Sequence, residues 1–238
     1  MNFNGKNILV IGGSSGIGLS LIKRLSADGA HIYNVSRSAS EEWPSGVLHL
    51  PLDVLGDISA IAGFLPEQLH GLVYSVGSIN LKPFSRLTED DFLIDYRLNV
   101  LGAVRMIQQS IKNLKNSKGA SIVLISSVAA RTGMGFHASI SAAKGAVEGL
   151  ALSLAAELAT HHIRVNVVAP SLTDTPLAQM LLNTPEKKEA SAKRHPLGKY
   201  GVADDISASI AFLLSEESQW MTAQVIGVDG GFGKLKTN

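Results

Sequence analysis

The chain contains no cysteine, few aromatic residues and almost no net charge. Without cysteine there is no disulfide framework, no thiolate metal site and no cysteine nucleophile. Against 21 Lys and Arg stand 20 Asp and Glu, a formal net charge of +1, whereas proteins that grip a phosphate backbone carry a marked basic excess. Nucleic acid is therefore not the expected partner. No run approaches the ~18 consecutive apolar residues of a membrane span. The opening Met1-Asn2-Phe3-Asn4-Gly5-Lys6 also lacks the basic segment and the roughly 7–15-residue apolar stretch of a secretory leader. These absences predict a protein that works in the cytoplasm, away from membranes. The neighbouring His161 and His162 point to different sides of a helix, and no carboxylate pair completes a ligand set, so no metal is expected.

What is present is 238 residues, 45 % of them hydrophobic, ample for one sizeable core. Short β-branched runs at Asn7–Ile11, His31–Ser36, Val47–Leu52, Gly71–Ser75, Ala120–Ser126, Arg164–Ala169 and Gln224–Val228 read as strands. Helix-length segments separate them, among them Ile17–Asp28, Glu89–Asn113, Ser141–Thr160 and Ala203–Leu214. Strands that are apolar throughout belong to a parallel sheet covered on both faces. Their alternation with helices predicts repeated βαβ units in an α/β, doubly wound parallel sheet, the Rossmann arrangement. No linker, charge run or repeat divides the chain, so residues 1–238 are expected to form a single domain. The least regular stretch is Pro170–Tyr200, with Pro176, Pro185, Pro196 and the charged run Glu186–Glu189. It follows a strand's C-terminal end, where such sheets bind ligands, and residues 171–200 are expected to act as a substrate lid.

The first strand ends in Ile11-Gly12-Gly13-Ser14-Ser15-Gly16-Ile17-Gly18, and a helix follows. Glycines here permit a tight turn and close backbone approach, while the helix N-terminus offers free N–H groups to an anionic pyrophosphate. The placement at the first strand–helix junction points to a dinucleotide cofactor.

Gly12, Gly16 and Gly18 fit G-x-x-x-G-x-G, which resembles the short-chain dehydrogenase/reductase family, and the resemblance runs through nearly the whole chain. Asp53 follows the third strand, as that family's adenine-contacting Asp does. Asn99 lies in Leu98-Asn99-Val100, and Ile125-Ser126-Ser127-Val128-Ala129 is similar to the strand carrying the family's catalytic serine. Arg164-Val165-Asn166-Val167-Val168-Ala169-Pro170 resembles the segment before the nicotinamide contacts; Pro196-Leu197-Gly198 and Val228-Asp229-Gly230-Gly231 match C-terminal signatures. The resemblance implies hydride transfer to or from a small carbonyl, alcohol or activated-alkene substrate. It places the cofactor on Gly12, Ser14, Ser15, Gly16, Ile17, Gly18, Arg37, Asp53, Gly77, Lys144 and Thr173. It also implies a homo-oligomer, tetramer or dimer, built partly through the helices Glu89–Asn113 and Ser141–Thr160.

An NAD ribose is met by a carboxylate about 20 residues past the glycines. Here the second strand ends Val35-Ser36-Arg37-Ser38, with no acid at its tip. A guanidinium and hydroxyls suit a 2′-phosphate, which favours NADP(H) over NAD(H).

Carbonyl-reducing members of the family use Asn, Ser, Tyr and Lys, and by motif Asn99, Ser127 and Lys144 fill three of the places. The Tyr place, four residues before Lys144, holds Ile140, which can neither donate a proton nor stabilise an alkoxide. Three readings remain open. In the first, another group is the acid: His137 stands seven residues before Lys144, the spacing of the family's enoyl-reductase branch, and an imidazole is a competent acid near neutral pH. Ser139, Ser141 and Tyr96 are further candidates in this reading. In the second, the chain is a non-catalytic dinucleotide-binding subunit or sensor. In the third, the proton comes from water while Lys144 and Ser127 do the positioning.

Overall fold

A computed structural model describes residues 1–236 of the chain. Seven parallel strands form its centre: β1 (Asn7–Ile11), β2 (His31–Ser36), β3 (Leu48–Pro51), β4 (Gly71–Tyr74), β5 (Ala120–Ile125), β6 (Ile163–Pro170) and, last in the chain, β9 (Val225–Val228). Their order is β3-β2-β1-β4-β5-β6-β9. The chain winds outward from β1 to β3, then returns to lay β4 on the free side of β1. That reversal opens a crevice above the C-terminal ends of β1 and β4, where doubly wound sheets bind ligands.

The period-two alternation of side chains explains why these strands are apolar throughout. Leu9 and Ile11 of β1 join one core with Leu72, Leu124, Val167 and the helical residues Met106, Ile107, Val147 and Ala151. Ile8 and Val10 enter the other, with Val73, Val123, Val168 and the helical Leu21, Leu25, Ile206 and Ile210. The first core lies under α2 (Ile61–Phe64), α4 (Gly102–Asn116) and α5 (Ala138–Leu158), and α3 (Glu89–Tyr96) packs on α5. The second lies under α1 (Gly16–Ala27) and α7 (Ala203–Leu214), which pack on each other.

Three elements depart from the sequence reading in ways that shape the site. The expected helix Glu89–Asn113 runs on to Asn116 and contains a π turn at Arg97–Leu101, between α3 and α4. Helix α5 starts at Ala138, three residues before the expected Ser141, so position 140 lies in its first turn. The stretch 170–200 is more ordered than its composition suggests. A two-residue pairing of β7 (Thr173–Asp174) with β8 (Gly201–Val202) closes its base, and it carries a 3₁₀ turn at Pro176–Leu181 and α6 (Pro185–Arg194).

Candidate active site

The glycine turn between β1 and α1 is shaped by contacts that admit no side chain. A Cβ on Gly18 would fall 2.2 Å from the Gly12 carbonyl oxygen, and Gly12 itself has φ +91°. Beneath the turn, the Gly13 amide donates to Asn34 Oδ1 at 3.0 Å and the Trp43 indole donates to the Gly13 carbonyl at 2.8 Å. Ser15 caps α1 in an extended conformation but makes no side-chain cap hydrogen bond, and the first turn holds no acid. The positive end of α1 is therefore open to an anion, without an internal carboxylate to compete. Gly18→Ala should shift the turn's backbone; we expect a loss of about 2 kcal/mol in stability, read by chemical denaturation.

Arg37 and Asp53 stand exposed just past the ends of β2 and β3, on the same edge of the sheet. Asp53 Oδ1 accepts from the Leu55 amide at 2.9 Å.

On the other side of β1, the π turn displaces the helix register by one residue and frees backbone groups from the ordinary ladder. Those groups find partners. Tyr74 Oη donates to the Leu98 carbonyl at 2.6 Å, and Asn99 Nδ2 donates to the Asp95 carbonyl at 2.8 Å. Asn99 Nδ2 also donates to Ser78 Oγ at 3.1 Å, and Ser78 in turn donates to Asp95 Oδ1 at 2.6 Å. Asn99 is 1 % exposed, and its Oδ1 has no partner. That oxygen lies near Lys144 Nζ: a Cβ on Gly77 would sit 3.2 Å from one and 3.5 Å from the other. A buried orphan acceptor beside a buried ammonium calls for a third group, and the missing Cβ leaves room for one.

Lys144 is buried on α5, and its Nζ donates to the Ile125 carbonyl at 2.8 Å. Burial pulls its pKa down to about 8, an effect that the nearby Asp95 carboxylate partly offsets. Ser127 follows β5, with its Oγ accepting from the Ala129 amide at 3.2 Å. Ser126 ties the strand end to α5 through Glu148 Oε1 at 2.8 Å, and Arg131 holds the other carboxylate oxygen at 2.6 Å.

Above this centre is a cavity of about 460 Å³, lined by six of the sequence-predicted residues: Ile17, Gly77, Ser127, His137, Lys144 and Thr173. Asn99 sits behind its wall, and the remaining glycine-turn residues lie beyond its lining. Ile140 is 5 % exposed and lines the cavity one turn before Lys144, so an aliphatic surface stands where the resemblance expects a phenol. His137 caps α5, with Nδ1 against the Gly135 carbonyl at 2.6 Å. The other candidate donors are not part of the lining. Ser141 Oγ donates to the Ala129 carbonyl at 2.8 Å, Ser139 is buried, and Tyr96 is 42 % exposed on α3.

Among the lining residues that sequence reasoning missed, three contact the turn or the strand end. Thr175 packs against Gly16, whose Cβ would lie 3.2 Å away. Ser171 and the buried His195 meet at 2.7 Å, with His195 Nδ1 against the Ser191 carbonyl at 2.7 Å. That pair fastens the end of α6 to the end of β6. The Thr173-Asp174-Thr175 run after Pro170 was a visible signal for Thr175; nothing local pairs Ser171 with His195.

Residues 12–233 match a family model described as Enoyl-(Acyl carrier protein) reductase. L-xylulose reductase from Bos taurus is 34 % identical over 239 residues, covering 96 % of both chains. The 3-oxoacyl-[acyl-carrier-protein] reductase MabA of Mycobacterium tuberculosis is 30 % identical, covering 97 % of this chain and 94 % of its own. The chain belongs to the short-chain dehydrogenase/reductase family. A short-chain type dehydrogenase/reductase from Mycobacterium ulcerans superposes with a TM-score of 0.89 at 28 % identity, over 98 % of this chain and 91 % of its own. A variant of ElxO with NADPH bound superposes at 0.85 with 26 % identity, over 95 % and 98 %. Membership makes this an NAD(P)-dependent enzyme of the short-chain dehydrogenase/reductase type. Among the described residues, no helix is long and apolar enough to cross a membrane.

Proposed function

We propose that the chain is an NADP(H)-dependent oxidoreductase that transfers hydride to or from a carbonyl or alcohol carbon of a small molecule, within the cavity beneath a lid formed by residues 171–200. The observation that carries this reading is the convergence of Lys144 Nζ and the orphaned Asn99 Oδ1 at Gly77, in the wall of a chamber that also presents Ser127. The ElxO variant with NADPH bound and the two relatives named as reductases of carbonyl compounds support it.

The open N-terminus of α1, with Gly12, Gly16, Ile17 and Gly18, would hold the cofactor's diphosphate. Ser14, Ser15 and Arg37 would take the 2′-phosphate, Asp53 the adenine, and Gly77, Lys144 and Thr173 the nicotinamide end. When bound, the nicotinamide supplies or accepts the hydride. Ser127 Oγ–H donates to the substrate oxygen and polarises the carbonyl. Lys144, cationic below its pKa of about 8, stabilises negative charge developing there, its ammonium anchored on the Ile125 carbonyl. His137, as imidazolium, gives its proton to the oxygen as the C=O electron pair moves onto it. It then regains a proton from water, because the ring is only half-buried.

The test is NADPH consumption by the purified protein across ketones, quinones and enoyl thioesters. Turnover that falls about 10²-fold in His137→Gln is the expected result; NADPH binding without turnover on any member would favour the non-catalytic subunit or sensor. Arg37→Ala is expected to lower the NADPH-over-NADH preference in kcat/KM by about tenfold or more, the loss of one charge-assisted hydrogen bond. We place the protein in the cytoplasm as a homo-oligomer, tetramer or dimer. The exposed Leu93, Ile94, Leu101 and Leu152 on the helices that the resemblance implicates support the assembly.

A further inference from the structure

Helix α6 contributes Lys187, Ala190, Ser191 and Arg194 to the cavity wall. These are positions i, i+3, i+4 and i+7, a single helix face. The two small residues in the middle let the cavity approach the helix closely, and a cation stands at either end. Seven residues at 1.5 Å each separate the two by roughly 10 Å along the axis.

Among the described residues neither cation has an acidic partner. Lys187 Nζ donates to two neutral oxygens, the Met180 carbonyl at 3.0 Å and Asn183 Oδ1 at 2.9 Å. Arg194 reaches only Ser191 Oγ, at 3.4 Å. The acids of α6 lie on its other faces: neither Glu186 nor Glu189 lines the cavity, and Glu189 pairs with Lys193 at 2.6 Å. Indeed no Asp or Glu among the described residues lines the cavity anywhere. Much of the remaining wall is aliphatic, including Ile79, Leu81, Met134, Leu177 and Leu181. Walls of low polarity strengthen the potential of unbalanced charges. Both cations are exposed to solvent at the cavity's rim, so they stay free to meet an occupant's charge; an anionic occupant with an aliphatic body would match both features.

We propose that the substrate is an anionic amphiphile: an aliphatic carbonyl or alcohol compound bearing a carboxylate or phosphate group that Lys187 and Arg194 bind. This rests on the reading of the cavity as the substrate chamber. A guanidinium accepts either group as a two-point partner, while the ammonium adds a point charge. Specificity then arises from α6, on the lid side of the cavity, and the chemistry from β5, α5 and the π turn on the sheet side.

The test uses the whole protein with NADPH and matched substrate pairs. One arm compares 5-oxohexanoate with its methyl ester; the other compares hydroxyacetone phosphate with hydroxyacetone, which separates the two anion sources. We expect the anionic member of at least one pair to have about tenfold or greater kcat/KM, in line with a charge-assisted hydrogen bond. That ratio should collapse towards one in the Lys187→Gln, Arg194→Gln double variant. Equal or better turnover of both neutral members, or a ratio that survives the double variant, would overturn the proposal. Should neither these ketones nor the wider panel turn over, the oxidoreductase reading fails on its own, and binding decides the charge question. Hexanoate or hexyl phosphate should then raise the melting temperature of the NADPH-loaded protein more than hexanol does, and the double variant should lose that difference. No difference between anion and alcohol would overturn the proposal there too.

Discussion

Lys144→Met is expected to reduce turnover by about 10³-fold, more than any other single substitution in the cavity. Two contributions disappear together. One is the positive charge beside the substrate oxygen, of the kind whose removal costs about 10²–10³-fold in other enzymes. The other is the anchored donor itself, whose Nζ is fixed beside the cavity by the Ile125 carbonyl. Methionine fills a similar volume without charge, so the fold is retained and the loss reads as chemistry. A rate loss below tenfold would mean that the ammonium takes no part in the reacting centre.

The same residue gives activity and stability opposite pH dependences. Burial holds its pKa at about 8, below the ~10.4 of a solvated lysine. Between these values the unfolded chain binds more protons than the folded one, so stability rises with pH through that window. Below pH 8 the folded state carries the full cost of a buried ammonium, roughly 3 kcal/mol at about 1.4 kcal/mol per pH unit. The cationic form that the chemistry uses is lost over the same range, so the Lys144 contribution to turnover should fall as pH rises through about 8, a step that the His137→Gln variant, lacking the imidazolium acid, isolates. Chemical denaturation at pH 7.5 and pH 10, alongside rates at both, checks the pair. The stability gain should be absent in Lys144→Met.

The parallel sheet was legible because a strand buried on both faces needs an apolar residue at every position, as Ile8-Leu9-Val10-Ile11 has. The glycine turn was legible for a steric reason: a Cβ at position 18 has nowhere to go. The π turn was not. Its cause is tertiary, a tyrosine hydroxyl from β4 and an amide side chain taking up the displaced carbonyls, and helical periodicity does not record a one-residue slip. Helix α6 escaped notice for a different reason. Of its ten residues only Ser191 is buried, so it has no apolar stripe to read. The remaining signal was Thr184 before Pro185, a capping residue followed by proline at the first helical position. The lining role of His137 and Ile140 depended on where α5 begins, and helix starts are the least certain feature of a sequence pattern.

Ile140→Tyr, placed on the His137→Gln background, should recover at least about 10²-fold of the ketone-reducing activity that His137→Gln loses. Positions 137, 140 and 144 follow one another up the same side of α5, and all three line the cavity. A phenol at 140 would stand one turn from the Lys144 ammonium, whose field lowers the cost of the phenolate left after proton transfer. Ser127 would continue to orient the oxygen from the opposite strand end. General acids contribute about 10²–10⁴-fold to such steps, which sets the size of the recovery. The larger ring projects into open volume, not into the core, so the strain of overpacking is small. Recovery in the double variant would place the two side chains at one point of the reaction coordinate, supplying the same proton by different routes. Failure to recover, with both variants folded and binding NADPH, would take the donor away from this face of α5 altogether.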